Sequence, residues 1–261
     1  MFQIIVTGAC GRMGRAILSC AAQEKDFEII GALEAPGHPE LGKPATAAPS
    51  IFITDNLSAL KGRKGILIDF SSPFATMQIL PQAREAGMPC VIGTTGLAQE
   101  QAAKLKDAAR DIPIVFSSNM SVGVNLLFKL VEEAARTLGS AYDVEIFEMH
   151  HRFKKDAPSG TAKSLVEAAA KGMGLDPSRD VVHGRNGIAG ERPIGQIGVH
   201  ALRGGDVIGE HNVIFASIGE RIEMGHRCHS RETFARGALR AARFVYERAP
   251  GLYTMRDVLG L

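Results

Sequence analysis

The 261-residue sequence has no tryptophan, only three tyrosines and no excess of one charge sign. Its 30 Lys and Arg residues nearly balance its 28 Asp and Glu residues, and the net charge is only +2. Without a large basic excess or clustered aromatic side chains, no nucleic-acid partner is expected. No apolar run approaches the roughly 20 residues that cross a bilayer, and no charged-then-apolar leader opens the chain. These absences predict a cytoplasmic protein without a membrane partner.

Paired cysteines are also lacking. Cys10, Cys20, Cys90 and Cys228 are scattered, with no C-x-x-C spacing, which favours reduced thiols packed as small apolar side chains. The run 226–229 (His-Arg-Cys-His) is the one place to test for a metal. Because strand-like alternation there puts the two histidines on opposite faces, no metal site is predicted.

A buried strand, a glycine loop and a helix are predicted at the start of the chain. The strand covers residues 2–6, the helical pattern runs from Ala16 to about Ala22, and the loop between them has glycines at relative positions one, four and seven. The commonest dinucleotide fingerprint uses one, three and six, so this loop alone is a weak signal. The next strand ends at Glu34, where the fingerprint places an acid for the adenosine ribose. Together these features predict a dinucleotide site.

Strands and helices then alternate up to residue 116, which predicts parallel βαβ units and a Rossmann-like domain. Predicted strands cover 51–53, 65–70, 89–92 and 112–116, predicted helices cover 73–86 and 98–110, and 35–50 is predicted to be loop. Ligands of such sheets lie at the carboxyl ends of the strands. We therefore assign cofactor binding to Gly8, Ala9, Cys10, Gly11, Arg12, Met13, Glu34, Gly93, Thr94, Thr95, Ser117, Ser118, Asn119 and Met120.

The pattern changes after a long amphipathic helix predicted over 122–138. A strand is predicted over 142–150 and a helix over 159–170. Period-two alternation over 197–228, broken by two glycine turns, predicts hairpins in a mostly antiparallel or mixed open sheet, and a last helix is predicted over 232–247. The fold class is thus α/β, with a second domain of α+β type.

A basic cluster follows the strand over 142–150. His150, His151, Arg152, Lys154 and Lys155 lie within six residues. Such a run is typical of a solvated face, but here a helix is predicted to start at Ser159, and its N-terminus favours anions. Histidine and lysine side chains also carry protons. The cluster is therefore a candidate anion-binding and catalytic site.

Several motifs, in order over nearly the whole chain, closely resemble the dihydrodipicolinate reductase family. They are Gly8-x-x-Gly11-Arg12-Met13-Gly14, Gly93-Thr94-Thr95-Gly96, Ser121-x-Gly123-x-Asn125, Glu148-x-His150-His151-x-x-Lys154-x-Asp156-x-Pro158-Ser159-Gly160-Thr161 and the closing Met255-Arg256-Asp257-Val258-Leu259. The fourth motif is highly specific. The resemblance implies reduction of a cyclic imine dicarboxylate, 4-hydroxy-tetrahydrodipicolinate, by NADH or NADPH with loss of water, in lysine and diaminopimelate synthesis.

The resemblance also implies the domain plan and the residue roles. It places the cofactor domain at 1–120, a substrate-binding and tetramerisation domain at 121–230, and a return to the first domain at 231–261, in a homotetramer. His150 matches the proton donor and Lys154 a second donor or carboxylate partner. His151, Ser159, Gly160 and Thr161 would hold a substrate carboxylate, with Arg152 and Lys155 supporting the field.

One departure from the family pattern concerns the cofactor. Many members place an arginine directly after the ribose-binding acid, where it meets the 2′-phosphate of NADPH, but here Ala35 and Pro36 follow Glu34. NADH is therefore predicted to be preferred, although Arg12 is a possible phosphate partner. Two alternatives remain open at this point: another two-domain amino-acid dehydrogenase, acting on aspartate or diaminopimelate, and a non-enzymatic dinucleotide sensor.

Overall fold

The computed structural model describes residues 1–56 and 65–261. Their contacts divide into two compact units. The first comprises Met1–Val122 and Arg231–Leu261, and the second comprises Gly123–Ser230. We call them the amino-terminal unit and the central unit.

The amino-terminal unit is a layered α/β structure built around one largely parallel sheet. Its strands are β1 (Phe2–Thr7), β2 (Phe27–Leu33), β3 (Pro44–Ala45), β4 (Ala48–Thr54), β5 (Ile66–Asp69), β6 (Cys90–Ile92), β7 (Pro113–Phe116) and β13 (Gly251–Tyr253). Its helices are α1 (Arg12–Gln23), α2 (Pro73–Glu85), α3 (Gln99–Ala108), α7 (Glu232–Tyr246) and α8 (Met255–Leu259). Within the described residues the strand order is β13-β7-β6-β5-β1-β2-β4-β3. The Rossmann-like fold predicted for this part is confirmed.

Helix α1 begins earlier than predicted, at Arg12 instead of Ala16. Gly14 therefore lies inside the first helical turn. Because glycine has a low helix propensity, the sequence pattern did not predict a helix at this position. A Cβ at Gly14 would lie 2.1 Å from the carbonyl oxygen of Gly8, so only glycine lets the turn pack this closely on the loop. Packing outweighs propensity at this position.

The predicted loop over 35–50 was only partly correct. It contains β3 and the first residues of β4, and β3 pairs with β4 in the antiparallel direction. Its Pro, Gly and Ala composition is typical of a loop, but the pairing depends on a neighbouring strand that local composition does not reveal.

Two apolar clusters cover the two faces of this sheet. One contains Ile4, Val6 and Ile68 with small residues of α7, such as Ala238 and Ala242. The other cluster packs Ile5, Leu67, Ile92 and Ile114 against α2 and α3, through residues such as Leu80 and Leu105. Burial on both faces explains why these strands are continuous apolar runs.

The central unit packs helices on one face of a mixed sheet. Its elements are α4 (Val122–Leu138, which starts at the end of the other unit), a 3₁₀ helix (Gly139–Ala141), β8 (Asp143–His150), α5 (Gly160–Met173), α6 (Pro177–Asp180), β9 (Val181–His183), β10 (Ile197–Arg203), β11 (Gly209–Ser217) and β12 (Glu220–Cys228). Val144, Ile146, Val213 and Phe215 pack with α4 and α5 residues, including Val131 and Leu165. The predicted mixed open sheet is confirmed.

One of the two predicted hairpins is wrong. Strands β11 and β12 form an antiparallel hairpin, but β10 and β11 do not pair with each other. Strand β8 lies between them, parallel to β10 and antiparallel to β11. The glycine turn at 204–206 therefore joins strands on either side of β8, a connection that period-two alternation cannot distinguish from a hairpin.

Across the described ranges, 1–56 and 65–261, no helix is both long and apolar enough to cross a membrane.

Candidate active site

Strand β8 carries two polar side chains on its apolar face. Alternation places Glu148 and His150 on the same side as Val144 and Ile146, and Glu148 is fully buried while His150 is 9% exposed. Arg203, the last residue of β10, pairs in register with His150. An acid, an imidazole and a guanidinium therefore meet at the carboxyl end of this strand pair.

Glu148 joins four parts of the central unit. Its carboxylate accepts hydrogen bonds from both terminal nitrogens of Arg203, at 2.8 and 3.0 Å. It also accepts from the backbone N–H of Ser159 at 3.0 Å and bonds His150 Nδ1 at 2.5 Å. Burial disfavours its charged form, but these donors outweigh burial and lower the pKa of Glu148. A buried, ionised carboxylate thus anchors the turn that follows the basic cluster.

The Glu148 contact orients the His150 ring. A carboxylate at Nδ1 favours the tautomer with its proton there, which leaves Nε2 for a ligand. A Cβ at Gly209 would lie 3.1 Å from Nε2, so glycine keeps space beside that atom. Burial lowers the pKa of His150 and outweighs the opposing effect of Glu148. The imidazole is therefore neutral at neutral pH in the free protein.

His211 of β11 is a site residue that the sequence analysis missed. Its ring centroid lies 5.1 Å from that of His150, and its Nε2 lies 3.1 Å from Ser159 Oγ. Burial, followed by the nearby His150, lowers the pKa of His211 to about 3. The available signal was alternation, since His211 shares the buried face with Val213 and Phe215. Glu148 was visible in the motif and Arg203 at a strand end, but neither was assigned a role.

The turn into α5 follows the prediction closely. Ser159 is the N-cap of α5, and its Oγ accepts a hydrogen bond from the backbone N–H of Ala162 at 3.1 Å. Gly160 and Thr161 form the first turn of this 14-residue helix, and the N–H groups and dipole of such a turn favour an anion.

The other members of the basic cluster differ in exposure. Lys154 is half-buried and pairs with Asp156 at 2.9 Å, while Arg152 and Lys155 are exposed. His151 is half-buried, and its Nδ1 is a buried atom with no hydrogen-bond partner. In the segment between β8 and α5, His151 and Lys154 are therefore the partly buried members of the cluster, whereas Arg152 and Lys155 face solvent.

The amino-terminal unit has a cavity of about 490 Å³ at the carboxyl ends of its strands. Four of the predicted cofactor-binding residues line this cavity: Gly8, Cys10, Gly11 and Glu34. The Glu34 carboxylate accepts hydrogen bonds from the backbone N–H groups of Cys10 and Ala35, both at 2.9 Å. A glycine loop that opens a helix, with a fixed carboxylate at the end of β2, fits a dinucleotide. The sequence analysis missed several wall residues, including His38, Asp55, Phe70 and Phe74.

A buried carboxylate also supports this cavity. Asp69, fully buried at the end of β5, accepts hydrogen bonds from the Thr7 and Thr76 hydroxyls, both at 2.5 Å. It also accepts from the N–H and hydroxyl of Ser71 and, at 3.3 Å, from Thr94. Asp69 thereby ties together the loops after β1, β5 and β6.

The remaining predicted cofactor residues do not line this cavity. The side chains of Ala9 and Met120 are buried in the core, and Thr94 faces the Asp69 network. A Cβ at Gly93 would lie 2.3 Å from the Phe70 ring. Arg12 and Thr95 are exposed, and Met13 packs partly against the core. Ser117, Ser118 and Asn119 form a turn after β7, closed by a 2.8 Å bond from Ser117 Oγ to the Asn119 carbonyl.

The fold and these two sites define the class of protein. A parallel α/β unit with a glycine loop and ribose-type acid, joined to a unit with a buried Glu–His pair, is the plan of a nicotinamide-dependent oxidoreductase. The family models "Dihydrodipicolinate reductase, N-terminus" and "Dihydrodipicolinate reductase, C-terminus" match residues 2–120 and 123–259. The chain belongs to the dihydrodipicolinate reductase family.

Individual relatives support this assignment over the full length. The 4-hydroxy-tetrahydrodipicolinate reductase of Anaeromyxobacter sp. (strain Fw109-5) is 50% identical, and the alignment covers 100% of this chain and 98% of the relative. The enzyme of the same name from Thiobacillus denitrificans is 48% identical, with 99% and 98% covered. A dipicolinate-bound dihydrodipicolinate reductase from Paenisporosarcina sp. TG-14 shares the fold, with a TM-score of 0.77, 23% identity and 98% of each chain covered.

Proposed function

We propose that this chain reduces 4-hydroxy-tetrahydrodipicolinate to tetrahydrodipicolinate in lysine and diaminopimelate synthesis. The substrate ring accepts a hydride, its hydroxyl leaves with a proton as water, and NAD(P)H becomes NAD(P)⁺. The observation that carries the proposal is the Glu148–His150 pair beside the α5 N-terminus, where a proton-carrying group adjoins an anion-binding turn. When bound, the dinucleotide supplies the hydride from its nicotinamide ring.

His150 is the proton donor in this proposal. Glu148 holds Nδ1, so the exchangeable proton is the one at Nε2. Burial lowers the pKa of His150 in the free protein, and a bound dianion would raise it, because negative charge favours the imidazolium. Substrate binding thus charges the donor that loss of the hydroxyl requires.

The substrate carboxylates are held by the β8–α5 turn and the residues around it. Gly160 and Thr161 present the helix N-terminus, and His151 and Lys154 lie on the same segment as His150. Ser159 contributes indirectly, since its N–H is bound by Glu148 and its Oγ caps the helix. Lys154 would exchange Asp156 for a substrate carboxylate or serve as a second donor. Arg152 and Lys155 add only a general positive field.

NADH is the proposed preferred cofactor. Glu34 presents its carboxylate where the adenosine ribose is expected, and among the described residues that line the cavity there is no lysine or arginine. A 2′-phosphate there would meet negative charge without a cationic partner. Arg12 is exposed on the first turn of α1 and is the alternative phosphate contact. A higher kcat/KM for NADPH than for NADH would contradict this preference.

A homotetramer assembled through the central unit is also proposed. The sheet face opposite α4 and α5 carries Phe147, Met149 and Ile214 as half-buried side chains, and Leu202 is 45% exposed. In the isolated chain these apolar side chains remain partly open to solvent, which favours a partner of the same kind. Light scattering of the purified protein measures the oligomeric state.

The test is NADH oxidation with substrate generated in place from pyruvate and aspartate semialdehyde by the preceding synthase. The native protein should turn over, and Lys154→Ala should lose several orders of magnitude, whereas exposed Lys155→Ala should stay near native activity. Aspartate and diaminopimelate, offered with NAD⁺, should give no turnover. Binding of NADH by the native protein without oxidation would favour a sensor, and unchanged turnover in Lys154→Ala would remove Lys154 from the proposed site.

A further inference from the structure

We propose that Cys10, Glu34 and His38 form a binding site for a zinc-type divalent cation, whose occupancy excludes the dinucleotide. One donor atom from each of these residues lies within 4.8 Å of the other two. The proposal differs from the expectation of no metal site, and within the described residues the three-donor cluster lies here and not in the His226–His229 run.

The three donors suit zinc by type. A thiolate, an imidazole and a carboxylate are common Zn²⁺ ligands, and three protein ligands leave a fourth position for water. In a tetrahedral site, metal–ligand distances of about 2.0 to 2.3 Å require the donors to approach by roughly an ångström. All three side chains are half-buried, so they can make this movement without opening the core.

Two hydrogen bonds lie beside the three donors. His38 Nδ1 accepts a hydrogen bond from the backbone N–H of Glu40 at 3.3 Å, so Nδ1 carries the free lone pair of the neutral ring, and a cation bound to this nitrogen would replace the amide contact. The N–H of Cys10 bonds one oxygen of Glu34, so the Glu34 carboxylate is fixed beside the Cys10 side chain. Glu40, which pairs with Arg15, adds a second negative charge near the thiol.

The thiol must lose its proton when the cation binds. Burial, followed by the charges of Glu34 and Glu40, raises the pKa of Cys10 to about 11, while Arg15 acts in the opposite direction. The thiol is therefore protonated at neutral pH, and the cation would displace that proton to solvent.

The proposed competition between the cation and the dinucleotide rests on the proposed function, in which Glu34 binds the adenosine ribose. A cation bound to the Glu34 carboxylate would leave the adenosine ribose without its hydrogen-bond acceptor. It would also lie against Cys10 of the glycine loop, where the dinucleotide is proposed to bind. The chain would then be inhibited by zinc in competition with NADH.

The first experiment titrates Zn²⁺ into the full-length, metal-free protein, without a tag or dinucleotide, by calorimetry. We expect one cation per chain, and Cys10→Ser and His38→Gln should each weaken binding by about tenfold or more. Cys228→Ser is the matched control and should bind like the native protein. Loss of binding in Cys228→Ser, or native binding in Cys10→Ser, would overturn the site.

Two further readouts separate the site from the cofactor proposal. Co²⁺ in place of Zn²⁺ should give a thiolate charge-transfer band that is absent in Cys10→Ser and present in Cys228→Ser. Excess NADH should abolish that band. A band that persists under NADH, in a protein shown separately to bind NADH, would overturn the exclusion, whereas failure to bind NADH at all would count against the proposed function alone.

Discussion

The two units each bury one carboxylate at the carboxyl end of a strand, and the partners of the two differ in kind. Asp69 is surrounded by hydroxyl and amide donors, with no cation among the partners described above. Glu148 bonds a guanidinium, an imidazole and one amide. Neutral donors fix the shape of loops, whereas cationic and titratable partners set the charge and tautomer of a reacting group. The first carboxylate therefore supports binding, and the second supports chemistry.

The largest expected effect is that of Glu148→Gln. The amide has a single acceptor oxygen, so it cannot accept from both His150 Nδ1–H and the Ser159 N–H, and it does not neutralise Arg203. The kcat should therefore decrease on the order of 10²- to 10⁴-fold. NADH affinity, measured by fluorescence titration, should stay unchanged. Glu145→Gln is the matched control, because Glu145 lies on the same strand, bonds Arg185, Arg192 and His200, and faces the other side of the sheet. An equal decrease of kcat in Glu148→Gln and Glu145→Gln would show that Glu148 has no special role in turnover.

Asp69→Asn should act on binding and stability more than on turnover. The amide keeps one acceptor oxygen but leaves at least one buried hydroxyl without its partner, a cost of about 1 to 3 kcal/mol in unfolding free energy. The loops would loosen, and NADH should bind about tenfold more weakly while kcat changes less. Asp55→Asn, an exposed acid on the wall of the same cavity, is the control for charge alone. If Asp69→Asn lowers kcat as much as Glu148→Gln, the comparison fails.

The titratable surroundings of Glu148 also predict a pH dependence of stability. The pKa of His211 is lowered from 6.5 to about 3, so below pH 6.5 the unfolded chain takes up a proton that the folded chain refuses. Stability is thus lost as the pH decreases through the unfolded pKa, by about 2 kcal/mol between pH 7 and pH 5.

Chemical denaturation at several pH values measures this effect. His211→Gln should lose stability less steeply than the native chain over this range. His183→Gln, at an exposed position of β9, is the control for removing an imidazole. A slope in His211→Gln equal to the native slope would assign the effect to other groups.

The smallest expected effect concerns Glu34, a carboxylate on the wall of the cavity in the amino-terminal unit. Within residues 1–56 and 65–261, Glu34 has two amide partners and no cationic partner, unlike Glu148. Ala35→Arg would place a cationic side chain beside a bound 2′-phosphate. The ratio of kcat/KM for NADPH to that for NADH should therefore increase by about tenfold, or about 1.4 kcal/mol. Ala35→Gln adds length without charge and should leave the ratio near its native value. An unchanged ratio in Ala35→Arg would indicate that Arg12 or another residue governs the choice.

Much of this protein was determined by the sequence alone, because its strongest signals are local. Apolar runs and their period predicted the helices and strands of both units, and Ser159 was predicted as a helix start from its side chain and its neighbours. The motif around His150 predicted the family, which the comparisons confirmed. Glu34 was predicted from spacing, and the structure places it on the cavity wall.

Tertiary structure decided what depends on residues distant in sequence. Arg203 and His211 are 55 and 52 residues from their partners Glu148 and Ser159, and local pattern carries no record of such pairs. The insertion of β8 between β10 and β11 brings them together. Gly14 belongs to helix α1 because of a backbone approach from Gly8, and Met120 is core because α7 packs on it through Gly237. In each case the deciding energy comes from packing or burial between separate segments, which only the folded chain creates.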